Sequence, residues 1–339
     1  MKYPIGIQSF KKIRTGGYVY VDKTAQIYNL MQQGQYFFLS RPRRFGKSLI
    51  LSTMEAYFEG RKDLFEGLAI AELEKNWKAL PVIHIDFNTG DYETVNGLLN
   101  RIDKTLTEQE EKHGQEKASN DSGLRFEYLI KNIYASTGNK VVLLIDEYDK
   151  PLLETIGAPD LQKKLRDELR DMYSVLKTCD EYIQFAMLTG VTKFGHLNVF
   201  SGLNNIKDIS FRPEYAALCG ITETEMLSCF DKPIQVMAEK KGYTVEEMVE
   251  KLRNMYDGYR FTRENILVYN PFSLLNAFDD KELYAYWFET GTPKYLVELL
   301  QNKNYKLNEL EGATSYVQNL KAFNPDSGED PLPVMYQSG

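Results

Sequence analysis

Four short apolar runs, Tyr36 to Leu39, Val82 to Phe87, Val141 to Ile145 and Tyr182 to Leu188, punctuate the first two thirds of the chain. Each is rich in β-branched or aromatic residues, as strands are. Between them lie amphipathic stretches: Leu161, Leu165, Leu169, Tyr173 and Leu176 recur at spacings of three and four and keep one helical face apolar. Near-continuous apolar strands alternating with helices predict an α/β fold with a parallel sheet covered by helices on both faces. From Glu108 to Gly123 the chain is almost wholly polar and reads as an exposed or partly disordered loop. After about Pro213 the strand pattern fades, and Thr224 to Cys229, Thr244 to Tyr256 and Pro271 to Phe278 read as short helices. The expected division is residues 1–212 as a nucleotide-binding core and 213–339 as a mainly helical lid. The closing run Leu332 to Gly339 is apolar and strand-like with nothing after it, which reads as a chain that stops short.

Composition narrows the function. With 41 basic and 48 acidic residues the net charge is −7, too acidic for general attraction to nucleic acid. No apolar run approaches the ~18 residues of a membrane span and the start lacks a secretory signal, so a cytoplasmic protein is expected. Three cysteines without a CxxC pair and three scattered histidines support neither a disulfide framework nor a zinc site.

Chemistry concentrates at two strand ends. Arg41-Pro42-Arg43-Arg44-Phe45-Gly46-Lys47-Ser48 follows the first strand and precedes the helical run from Leu49. That is the setting of a phosphate-binding loop, in which Gly46 lets the backbone approach a phosphate, Lys47 reaches the β and γ oxygens and the Ser48 hydroxyl ligates Mg²⁺. The amides of Arg44, Phe45, Gly46, Lys47, Ser48 and Leu49 would wrap the phosphates. Arg41 stands where such loops carry their first glycine. For Arg41, Arg43 and Arg44, phosphate contacts and pairing with acidic neighbours are equally open. Further on, five apolar residues close on Asp146 and Glu147. Asp146 suits the Mg²⁺ shell and Glu147 suits orienting and deprotonating a water. If the strand ending at Leu188 lies between these two, Thr189 stands beside the γ-phosphate as a polar sensor. Asp86, closing the second strand, reads better as a turn or cap residue.

These motifs, with Tyr20-Val21-Asp22-Lys23-Thr24, Leu188-Thr189-Gly190-Val191, Tyr256 to Phe261 and Tyr269-Asn270-Pro271-Phe272-Ser273, resemble the AAA-ATPase-like proteins of bacteria, many of which carry a PD-(D/E)XK nuclease-like domain after the ATPase. The resemblance implies a P-loop ATPase with Walker A and Walker B motifs at Lys47 and Asp146, ATP and Mg²⁺ as ligands, and a helical lid. It explains the missing first glycine, because the family pattern carries Arg there. It further implies that a nuclease-like domain would begin beyond Gly339, so that nuclease or nucleic-acid partnership would run through regions beyond this chain; self-association stays open. Tyr20 would stack beside the adenine, unless Asp22 or Thr24 serves only to cap the next helix. Arg260 would reach from the lid to the γ-phosphate, with aromatic packing of Tyr256, Tyr259 and Phe261 as the alternative. The expected activity is Mg-dependent ATP hydrolysis by a conformational switch or motor module; the competing reading is a nucleotide-binding regulatory module with negligible turnover. A small-molecule kinase fits less well, since Glu147 beside Asp146 suits water activation.

Overall fold

The computed structural model describes residues 1–193 and 205–286. The strands are β1 Tyr36–Ser40, β2 Val82–Asp86, β3 Val141–Asp146, β4 Ile183–Gly190, β5 Lys207–Asp208, β6 Tyr259–Arg260 and β7 Leu267–Val268. The helices are α1 Phe10–Gly16, α2 Thr24–Gln32, α3 Lys47–Phe58, α4 Ile70–Leu73, α5 Val95–His113, α6 Ser122–Thr137, α7 Lys150–Leu153, α8 Pro159–Thr178, α9 Glu223–Lys241, α10 Val245–Tyr256 and α11 Pro271–Asp280.

The first five strands form one sheet in the order β2-β3-β4-β1-β5, with every pairing parallel. Alternation along the strands sends Tyr36, Phe38, Ile83, Leu143 and Ile145 to a core shared with α5, α6 and α8. It sends Phe37, Leu39, Val82, Leu144 and Met187 to a core shared with α2 and α3. Both faces are therefore covered, which is why the strands are apolar throughout rather than alternating. β4 lies between β1 and β3, with Leu39 level with Thr189 and Ile145 level with Leu188. The C-terminal ends of β1, β3 and β4 thus open side by side at one edge.

Two expectations need correcting. The polar stretch from Glu108 is helical as far as His113, because Gln109 and Glu110 are buried: Glu110 takes a bidentate pair from Arg125 on α6, at 2.7 and 2.6 Å, and Gln109 exchanges hydrogen bonds with the His84 backbone. Only residues 114–121 connect α5 to α6. The helix expected at Thr224 to Cys229 continues through Pro233 to Lys241, with a kink at Phe230. Its start is fixed by a capping box in which Thr222 and Glu225 each accept the other's backbone amide.

Helices α9, α10 and α11 enclose a core of their own around Phe230, Met237, Leu252 and Phe278, joined by Tyr3, Ile5, Val19 and Val21 from the start of the chain. The short hairpin β6–β7 leaves no mark on the sequence pattern, because two residues per strand give no readable alternation. No helix among the described residues is long and apolar enough to cross a membrane. The run Leu332 to Gly339 lies outside the described residues.

Candidate functional site

The segment 41–46 turns from the end of β1 into α3. Two of its residues take left-handed backbone conformations, Arg44 at φ 68° and Gly46 at φ 97°. A side chain at Gly46 would meet nothing within 4 Å, so glycine is required there by backbone conformation and not by space. Gly46 is the N-cap of α3 and brings no side-chain cap, which leaves the first-turn amides of Lys47, Ser48 and Leu49 for an outside acceptor.

The three loop arginines part company. Arg41 is buried, donating to the carbonyls of Ser40 at 2.8 Å, Ser210 at 2.7 Å and Tyr215 at 3.1 Å, with its guanidinium 4.2 Å from the centre of the Phe261 ring. It braces the loop entry from inside, a job a glycine could not do. Arg43 and Arg44 line the main cavity, and Arg44 also stands over the Phe272 ring of α11 at 5.3 Å. Phe45 is buried edge-on against Tyr259 at 4.7 Å and Phe261 at 5.6 Å, and its carbonyl accepts from the Gly220 amide. The hairpin β6–β7 therefore packs behind the loop through rings. Arg260, on the same hairpin, is exposed and lines neither cavity described here.

The main cavity, about 280 Å³, is lined by Arg43, Arg44, Gly46, Lys47, Ser48, Leu49, Glu147, Lys150, Asn88 and Phe272, among others. Lys47 is almost wholly buried; its ammonium donates to the carbonyls of Arg41 at 3.0 Å and Pro42 at 3.3 Å and lies 3.3 Å from a Glu147 carboxylate oxygen. Asp146, also buried, accepts from the Thr189 hydroxyl at 2.5 Å and the Glu147 amide at 3.1 Å, both on Oδ1. Glu147 has φ 51°, an uncommon conformation for a residue with a Cβ, and strain of this kind collects at functional sites. Lys47, Glu147, Asp146 and Thr189 are thus brought together by three strand ends.

A second, smaller cavity of about 90 Å³ adjoins it, sharing Pro4, Gly46, Leu49, Pro271 and Leu275. Its walls are mostly apolar and include Tyr20, Phe45, Ile221 and Phe230. Tyr20 packs edge-on against Phe10 at 5.1 Å, and its hydroxyl lies 3.5 Å from that of Thr53; burial pushes the phenol up. Asp22, two residues on, accepts from the Thr24 amide and hydroxyl and from the Ala69 amide, which ties the start of α2 to α4, while the N-cap itself, Lys23, brings no side-chain cap. Asp86 likewise accepts from the Asn88 amide in a turn.

Sequence reasoning passed over three features. Asp149 is completely buried behind Glu147, and burial, then the charge of Glu147, lifts its carboxyl to about 7 against the pull of Thr192 and Lys47. Lys23, buried in the wall of the small cavity, pairs with both carboxylate oxygens of Glu225 at 2.6 Å, and burial lowers it in spite of that partner. His84 on β2 pairs with Glu55 of α3 at 2.9 Å. Asp149 could have been found from its place just beyond an apolar strand; the lysine and histidine gave no local signal.

Parallel strand ends that gather a lysine, two carboxylates and a hydroxyl beside one cavity define an α/β protein with a polar site at the C-terminal edge of its sheet, where such folds receive ligands. The family described as Predicted AAA-ATPase matches residues 4–200, more than half of the chain, and the chain belongs to that family. It is 42% identical over 340 residues to the "Uncharacterized protein in vnfD 5'region" of Azotobacter chroococcum mcd 1. That match takes in the whole of this chain and 63% of the length of that curated relative. No solved structure matches it.

Proposed function

We propose that the chain binds Mg·ATP and hydrolyses it, serving as a conformational switch or motor module. The observation that carries this reading is the meeting of Lys47 with Glu147, 3.3 Å apart in the wall of one cavity and beside the uncapped N-terminus of α3. A lysine and free helix amides are a receiver for phosphate. A carboxylate held at that receiver is a base for water.

The residues also suit a magnesium ion. Ser48 Oγ and Asp146 Oδ2 take no hydrogen bond from any described residue, and hydroxyl and carboxylate oxygens are the hard donors Mg²⁺ prefers. Mg²⁺ is commonly held by one or two protein oxygens together with water and substrate phosphates. The ion, when bound, would neutralise charge on the phosphates. In this reading Lys47 holds the β and γ oxygens, Glu147 orients and deprotonates the attacking water, and Thr189, tied to Asp146, reads the γ-phosphate. The small apolar cavity behind Tyr20 would take the base. Arg44 is the more promising cation for a link from loop to lid, since it stands over Phe272 while Arg260 lines neither cavity.

Calorimetric titration with ATP, ADP and GTP, with and without Mg²⁺, beside a hydrolysis assay tests the proposal. Mg-dependent ATP binding with measurable turnover is expected. Binding without turnover would favour the regulatory module, and no binding would end the reading.

A further inference from the structure

The hydrolysis reading uses Asp146 and Glu147 and leaves Asp149 without work. Asp149 is nevertheless fully buried, and a buried carboxylate is costly unless its hydrogen bonds repay the lost water. Its Oδ2 accepts from the backbone amides of Val191 at 2.9 Å and Thr192 at 2.7 Å and from the Thr192 hydroxyl at 3.0 Å. Its Oδ1 is buried with no hydrogen-bond donor and faces Gly190, where an added Cβ would lie 2.5 Å away.

Neighbouring contacts run between the same two segments. The Tyr148 amide donates to the Thr189 carbonyl at 3.0 Å, and the Tyr148 hydroxyl donates to the Thr192 carbonyl at 3.0 Å. The Gly190 carbonyl in turn accepts from the Arg41 amide at 3.1 Å, at the entry of the loop that holds Lys47. The turn after β3 is thereby clasped to the turn after β4, and the latter to the end of β1. Within this clasp Glu147 precedes Asp149 by two residues, and Thr189 precedes Val191 by two.

We propose that Asp149 is a positioning residue for ATP hydrolysis, clasping the ends of β3 and β4 so that Glu147 and Thr189 are held at a fixed place relative to Lys47. The proposal rests on the hydrolysis reading above. A stability role alone could be met anywhere in the core; this carboxylate binds backbone next to the two groups whose placement sets the rate. Errors of about 1 Å at such groups can cost about a hundredfold.

The test compares the wild type with Asp149→Ala, Asp149→Asn and Gly190→Ala. Asparagine keeps an oxygen for the three donors, alanine does not, and alanine at 190 drives a methyl against both Asp149 Oδ1 and the Tyr148 ring, the two side chains of the clasp. In Asp149→Ala and Gly190→Ala, kcat is expected to fall about tenfold or more while the KM for ATP and the calorimetric affinity stay within about threefold; Asp149→Asn is expected to stay within about threefold of the wild-type kcat. In the nucleotide-free protein, exchange of the Val191 and Thr192 amides should quicken in Asp149→Ala, with the remaining β-sheet amides unchanged. A wild-type kcat in Asp149→Ala, or a loss of turnover and binding together with protection lost along the whole sheet, would overturn the positioning role. A wild type that binds but never hydrolyses ATP overturns the hydrolysis reading and the role with it. Unchanged exchange at Val191 and Thr192 removes the clasp whatever the activity.

Discussion

Lys47 Nζ stands 3.3 Å from Glu147 Oε1, a contact between the first residue of α3 and the residue just beyond β3. The two neutralise each other where both are nearly buried, and neither can serve a phosphate or a water without loosening the other. In the proposed cycle, incoming phosphate competes for Lys47 and so releases Glu147. On that proposal the pair would make the cost of binding and the readiness for hydrolysis parts of one equilibrium.

Lys47→Ala should weaken ATP binding at least about tenfold, since a charge-assisted phosphate contact contributes on the order of 1.5 to 3 kcal/mol. The loss is partly offset because Lys47 no longer has to leave Glu147 and the carbonyls of Arg41 and Pro42. Calorimetry with Mg·ATP checks this. Wild-type affinity in the variant would exclude the phosphate-loop assignment.

Nucleotide should draw the helical cluster onto the loop. Phe272 and Leu275 of α11 line the cavity that also contains Lys47, and Lys23 reaches Glu225 of α9 from the other side. Slower hydrogen exchange across residues 210–265 and the first turn of α11 is expected in the ATP-bound state. Identical exchange in the two states would leave no lid.

The Glu55–His84 pair sets a pH dependence of folding. Burial disfavours the Glu55 charge, but His84 and Lys112 outweigh it and hold the carboxyl at about 2. Burial likewise opposes charge on His84, and Glu55 outweighs it and raises the imidazole. A depressed carboxyl stabilises fully above its unfolded value near 4.5 and loses that contribution as pH falls toward 2. A raised imidazole stabilises fully below 6.5 and loses its contribution as pH rises through the folded value. Glu55→Gln should therefore be most costly between pH 4.5 and 6.5, by about 1 to 3 kcal/mol, and less costly once the pH has risen past the raised imidazole value, where Lys112 remains its charged partner. Thermal unfolding of both proteins, followed from acid through neutral to alkaline pH so as to bracket 4.5 and 6.5, measures it.

Much of this was legible in the residues. The apolar runs marked four strands because a parallel sheet buried on both faces leaves no polar alternation to confuse the pattern, and Gly46-Lys47-Ser48 stood out because its strand and helix flanks are local. What was hidden depends on distance in sequence. Arg41 was open to phosphate contact or to pairing with acidic neighbours, and nothing local pointed to the distant carbonyls of Ser210 and Tyr215 to which it donates. The buried Gln109 and Glu110 sat in a polar run whose meaning came from His84 and Arg125. Asp149 was one acid among three within four residues, and only the neighbouring strand separates it from the others.

Glu147→Gln and Asp146→Asn separate hydrolysis from binding. Glu147 lies one residue past Asp146, the proposed metal-shell residue, and touches Lys47, so the amide keeps its size and removes the proposed base while freeing Lys47 for phosphate. Hydrolysis should fall by roughly a hundredfold or more, with ATP affinity preserved or improved. Asp146→Asn should act differently. It takes charge from the proposed magnesium shell and weakens the acceptor of the Thr189 hydroxyl, so both Mg-dependent binding and turnover should drop. Calorimetry with and without Mg²⁺, run beside the hydrolysis assay, reads the contrast. If Glu147→Gln turns over ATP at the wild-type rate, Glu147 is not the base, and the short distance to Lys47 serves only to neutralise charge in the loop.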